Sequence, residues 1–149
     1  MTRNAMTVAA SAATVFSILA DPRAYDHLLP GARRVRRFDQ DWPQAGSALH
    51  QTLGFGPLGV PEAIEVVDVD EPYSLRLRAR VIPLCIHRLD FALRTEDGGT
   101  YVKVESWPVS GPTAKLWNPL LNQLTWTRNE ELLRRLRGMV DRRRQPLGV

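Results

Sequence analysis

The feature that most constrains this chain is a change of hydrophobic period. From Val35 to Trp107 apolar residues recur at every second position, and from about Asn118 they recur every third or fourth. Period two belongs to strands with one buried face, and a period near 3.6 belongs to an amphipathic helix. A chain of 149 residues in this order is predicted to form one domain, spanning residues 1–149, in which an antiparallel sheet is covered on one side by a long C-terminal helix. Residues 144–149 read as a flexible tail.

Turn residues cut the period-two region into six predicted strands: Val35–Phe38, Ala48–Phe55, Ala63–Asp68, Ser74–Ile82, Ile86–Thr95 and Thr100–Val109. Asp97-Gly98-Gly99, between two alternating runs, is the strongest hairpin signal. Alternation also assigns the faces. Leu75, Leu77, Ala79 and Val81 share one side of their strand and Arg76, Arg78 and Arg80 the other. In the next strand His87, Leu89, Phe91 and Leu93 oppose Arg88, Asp90 and Arg94. One dry face and one wet face describe an antiparallel sheet covered on a single side.

Ahead of this region, Thr7–Ala10 reads as a short strand, Ser11 as the cap of a helix from Ala12 to about Ala20, and Ala24–Leu29 as a second short helix ending at Pro30-Gly31. The apolar stretch Val8–Ala20 resembles a signal-peptide core, but only Arg3 precedes it and Ile18-Leu19-Ala20 is a poor cleavage pattern. With the single cysteine Cys85, and no apolar run long enough to span a bilayer, a cytoplasmic location is expected. Of the 20 basic residues 18 are arginine, and the net charge is +4. Arg33, Arg34, Arg36 and Arg37 form one dense run, and the tail from Arg134 to Arg144 forms the other. The ordinary reading of such runs is a solvated surface, and nucleic acid is not expected as a partner. A polyanion site is the alternative.

The C-terminal helix, predicted from Asn118 to Arg143, carries an apolar stripe that drifts. Leu116, Leu120, Leu121 and Leu124 cluster together, whereas Leu132, Leu133, Leu136, Met139 and Val140 centre about 100° further round. Where the stripes join, the inward positions are polar: Thr125, Arg128 and Asn129. Buried polar groups need partners or water, which a ligand pocket supplies. A locally solvated or kinked helix explains the same pattern.

The order strand, two short helices, six-stranded meander and long helix, together with local text, carries a family resemblance. The text comprises Ala20-Asp21-Pro22-Arg23-Ala24-Tyr25, Leu29-Pro30-Gly31, the stretch from Asp41 to Gly46, the stretch from Asp97 to Val102, the stretch from Pro108 to Pro112, Asn118-Pro119-Leu120 and the stretch from Arg128 to Leu132. Over nearly its whole length the chain resembles polyketide cyclase/dehydrase-type members of the START and birch-pollen-allergen-like (SRPBCC) superfamily. The resemblance implies an α+β helix-grip fold, a curved antiparallel sheet of about seven strands wrapped around the long helix, with an apolar cavity between them. It implies a polyketide-, lipid- or isoprenoid-like guest and activities that range from cyclisation or dehydration to transport or binding without catalysis; no cofactor and no metal are expected. The superfamily has no universal catalytic signature, so the fold does not give the reaction.

Candidate site residues are therefore those in phase with the dry faces. His87 is the clearest, as a general base for removing a proton alpha to a ketone or as a core histidine bonded to backbone. Glu65 shares its parity with Val67 and Val69 while Ile64 and Val66 occupy the other face. If inward it is an acid or base, and paired to Arg128 it is structural. The lining is expected from Leu77, Leu89, Phe91, Val104, Phe55 and Trp126, with Thr125, Arg128 and Asn129 supplied by the helix. His50 reads as a rim residue or as solvent-exposed. His27, His50 and His87 are far apart for a metal site, and the chain lacks GxSxG, HExxH, Walker and GxGxxG patterns. The competing function is a partner- or polyanion-binding module that uses the Arg-rich surface. A monomer and a homodimer are both compatible with the pattern.

Overall fold

A computed structural model describes residues 1–55, 57–81, 85–110 and 119–144. The elements run β1 (Thr2–Val8), α1 (Ala12–Leu19), a 3-10 turn (Pro22–Ala24), α2 (Tyr25–Leu28), β2 (Ala32–Phe38), β3 (Ala48–Phe55), β4 (Leu58–Asp70), β5 (Ser74–Val81), β6 (Cys85–Glu96), β7 (Gly99–Ser110) and α3 (Pro119–Arg144). All neighbouring strands are antiparallel in a seven-stranded sheet ordered β1-β7-β6-β5-β4-β3-β2. This is the helix-grip arrangement, with α3 lying against β1, α1 and α2. The expected residues Ile82, Pro112, Leu116 and Asn118, and the tail beyond Arg144, lie outside the described residues.

Local chemistry explains several of these boundaries. The Ser11 side chain accepts the Thr14 N–H at 3.2 Å and starts α1, and Asp21 accepts the Arg23 N–H at 3.0 Å to start the turn that follows. Asp97 and Gly98 form the two-residue link between β6 and β7, and Gly98 takes φ +77°, a conformation that favours glycine. A Cβ on Gly99 would stand 2.1 Å from the Val8 carbonyl oxygen, so β1 can close on β7 only past a glycine.

The core is assembled where the alternation is clean. Leu75, Leu77, Phe91, Val102 and Val104 are buried on the inner face, and the second half of α3 adds Leu132, Leu133, Leu136 and Val140. Each such side chain contributes about 1.5–3 kcal/mol by leaving water. Val15, Phe16, Ile18 and Leu19 of α1 are fully buried in the same cluster, so the apolar stretch Val8–Ala20 serves here as packing. Tyr25 and Trp42 close one end, ring centroids 5.5 Å apart and edge to face.

Three expectations are corrected. The first strand begins at Thr2, not Thr7, because its inward residues Thr2 and Asn4 are polar and hide the alternation. β4 begins at Leu58, not Ala63. The first half of α3 is not covered as its leucines suggest: Leu120 is 67% exposed and Leu124 56%.

Candidate functional site

Antiparallel pairing brings one set of strand ends together. β3 meets β4 across Phe55 and Leu58, and β5 ends and β6 begins at Val81 and Cys85. β7 ends at Ser110, and β1 begins at Thr2, opposite Ser106. Toward this end the inner face carries a cluster of polar groups. Gln51 of β3 faces Glu62 of β4, and His87 of β6 lies between Ala79 of β5 and Pro108 of β7. Gln51 is fully buried and Glu62 only 2% exposed. Arg128, half-buried on α3, approaches from above, its Nε donating to the Pro30 carbonyl at 3.3 Å.

The charges in this cluster act on one another. Burial pushes the Glu62 carboxyl above its ordinary range, opposed by the Arg128 guanidinium and by the Gln51 amide, whose Nε2 donates to Glu62 Oε1. Burial pushes the His87 imidazole down to about 4, and the charge of Arg128 pushes it the same way. At neutral pH His87 is therefore uncharged, and Arg128 is the cation that faces Glu62. The Gln51 carbonyl oxygen is buried without a hydrogen-bond partner among the described residues.

Of the residues expected to line the groove, Leu77, Leu89, Phe91 and Val104 are all buried on the inner face, with Leu77 opposite Leu89 and Phe91 opposite Val104. Phe55 closes β3. Glu65 does not reach the groove: it stands on the outer face, opposite Arg78. A register shift between Val66 and Asp68 reverses the parity of β4, so Ile64, Val66 and Val69 all pack inward although their numbers disagree. His50 is also on the outer face, because Leu49, Gln51 and Leu53 take the inner one. Trp126 is 41% exposed. Thr125 donates to its own helix at Leu121 O, 2.9 Å away. Asn129 is buried, but its amide is committed to Thr2 Oγ1 at 3.1 Å and ties α3 to β1. Beside it, Asn4 Nδ2 donates to Glu130 Oε1 at 2.8 Å and to the Trp126 carbonyl at 3.1 Å.

Gln51 and Glu62 are the functional candidates that sequence reasoning missed. Gln51 shares its parity with Leu49 and Leu53, which was signal enough. Glu62 was hidden because a strand beginning at Ala63 excludes it. Among the described residues no group of three or more His, Cys, Asp or Glu side chains could hold a metal ion, and no helix is long and apolar enough to cross a membrane.

No family model matches the sequence, and no curated protein does. Solved structures do match. A START superfamily protein from Mycobacterium smegmatis superposes with a TM-score of 0.75 at 18% identity, covering 95% of this chain and 97% of that one. Ara h 8.0201 gives a TM-score of 0.73 at 14% identity, with 93% of this chain and 95% of that one covered. The di-domain ARO/CYC StfQ from the steffimycin biosynthetic pathway gives 0.74 at 12% identity, and there the match covers 95% of this chain but 50% of that protein. At these identities the likeness establishes the fold alone, the helix-grip arrangement that this chain shares with these proteins.

Proposed function

Given this helix-grip fold, we propose that the chain binds a small, mainly apolar molecule in the groove between the sheet and α3, and that the guest carries an oxygen function at the polar end. The observation that carries the reading is the set of titratable and amide groups Gln51, Glu62, His87 and Arg128 brought together at one end of the inner face. A packed core has no use for these groups, since burying them costs more than burying hydrocarbon of the same volume. The unpartnered Gln51 carbonyl suits a hydroxyl donor on the guest, and Arg128 suits a carbonyl or phenolate oxygen. Polyketide-like, isoprenoid and lipid molecules all present this mixture of hydrocarbon and sparse oxygen.

Native mass spectrometry of freshly purified protein, followed by titration with 2-naphthol, tests this reading. The expected result is a retained or added noncovalent mass that disappears in Ala79→Trp, which plugs the inner face beside His87. A wild-type protein that retains nothing and takes up no 2-naphthol saturably overturns it.

Catalysis is a second reading, favoured by one observation: a buried carboxylate held above its ordinary pKa beside a guanidinium. Glu62 takes a proton alpha to a ketone of the guest, and Arg128 stabilises the enolate oxygen that forms. His87, pushed down to about 4, is too weakly basic at neutral pH to lead this step. Exchange of the alpha protons of 2-tetralone in D2O tests it, with Glu62→Gln expected to stop exchange while 2-naphthol binding persists, and His87→Gln expected to retain most of it. Exchange that survives in Glu62→Gln removes the assignment.

A further inference from the structure

The edge strand β2 carries Arg33-Arg34-Val35-Arg36-Arg37, and its exposure does not follow period two. Ala32, Val35 and Phe38 are half-buried, and all four arginines are exposed. The cause lies in two irregularities of the β2–β3 pairing, between Ala32 and Arg34 and between Val35 and Arg37. A regular strand would turn one arginine of each pair toward the core. A bulge sets two residues against one on the partner strand and re-aims the extra side chain, so here both members of each pair point to solvent.

The result is a crowd of like charges with little to offset it. Among the described residues no carboxylate stands within ion-pair distance of Arg34, Arg36 or Arg37. The nearby Asp39 spends one carboxylate oxygen on the Ala48 N–H at 3.0 Å. Arg37 lies opposite His50, and along the same outer row come Ala63 and then Arg80, which is exposed. Arg36, Arg37 and His50 together line a hollow of about 270 Å³. Protecting an edge from strand pairing needs only a charge or two on it. It does not need two bulges, four outward guanidiniums and a hollow beside them.

We propose that this bulged edge is a binding site for a phosphate group, with Arg36 and Arg37 as its charged donors and His50 supplying a third N–H. Guanidinium forks match the oxygens of a phosphate, and the concave setting concentrates their field. The site lies on the outer face of the sheet, so it stands or falls independently of the groove.

The test is calorimetric titration of the full chain with inorganic pyrophosphate at low ionic strength. Saturable binding is expected, weakened about tenfold or more in Arg36→Gln/Arg37→Gln and by less than about twofold in Arg34→Gln, which lies outside the hollow. All three arginines are exposed, so the variants should melt with the wild type. Competition by phosphatidic acid vesicles then identifies a lipid headgroup as the source of the phosphate, and failure to compete identifies a soluble phosphate ester. Absence of saturable pyrophosphate binding overturns the proposal, as does equal loss in Arg34→Gln. Adhesion to anionic vesicles without pyrophosphate binding overturns it too, since that is diffuse surface charge.

Discussion

Gln51 and Glu62 stand directly opposite one another on β3 and β4, inside the grip of the sheet, and the amide of the first donates a hydrogen bond to the carboxylate of the second. The pair is a buried polar feature of the inner face. It joins two strands whose remaining inward residues are hydrocarbon, Leu49, Leu53, Ile64 and Val66. The carboxylate is held by one amide and by the charge of Arg128, and burial still pushes it upward.

That balance sets a pH dependence. Because folding raises the pKa of Glu62, the folded chain holds its proton more tightly than the unfolded chain does. The contribution of Glu62 to stability is complete below its ordinary value of 4.5 and is lost as pH rises through the raised value. Thermal unfolding followed from acid toward neutral pH should show Glu62→Gln gaining on the wild type as pH climbs. Parallel curves at every pH would contradict the assignment.

His87 runs the opposite way. Its imidazole is pushed from 6.5 down to about 4, so its contribution is complete above 6.5 and is lost as pH falls through about 4. The full effect is on the order of 3 kcal/mol. The imidazole resonances of His87, assigned by their loss in His87→Gln, should titrate near 4. A midpoint near the ordinary imidazole value would mean that the ring is solvated.

The two halves of α3 should respond differently to truncation. Leu133 is fully buried, and Leu133→Ala is expected to cost about 2–5 kcal/mol. Leu124 is 56% exposed, and Leu124→Ala should change stability by no more than about 0.5 kcal/mol. Urea unfolding of both variants measures the contrast, and equal losses would place the first half of the helix in the core.

Asn129 is predicted to act as a clamp between α3 and β1. Asn129→Ala strands the buried hydroxyl of Thr2 and should cost about 1–3 kcal/mol, with faster amide exchange along β1. Binding of 2-naphthol should persist in this variant at temperatures where it is folded. Loss of binding without loss of stability would instead assign Asn129 to the guest.

The sequence made the architecture legible wherever one face of a strand is uniformly apolar. Leu75 to Val81 against Arg76 to Arg80 can be read in only one phase, and β6 likewise. Legibility failed where tertiary partners replace hydrocarbon. Thr2 and Asn4 face inward because Asn129 and Glu130 receive them, and no alternation announces that. It failed again where the ladder is irregular: the shift after Val66 left the inward side of β4, and with it the placement of Glu65, unresolved. On the inner face, the inward placement of Leu77, Leu89, Phe91, Val104 and His87 was readable from parity. Glu62 was not, because its strand extends past Pro61, a residue that marks a strand end from sequence alone.

The central claim is that a guest occupies the space between the inner face and α3. The most direct measurement is an amide-resolved NMR titration of the labelled protein with 2-naphthol. Saturable shifts should gather at Gln51, Glu62, Ala79, His87, Leu89 and Arg128, while Arg76, Arg80 and Arg94 on the outer face stay still. Shifts confined to the outer face, or none that saturate, would contradict it.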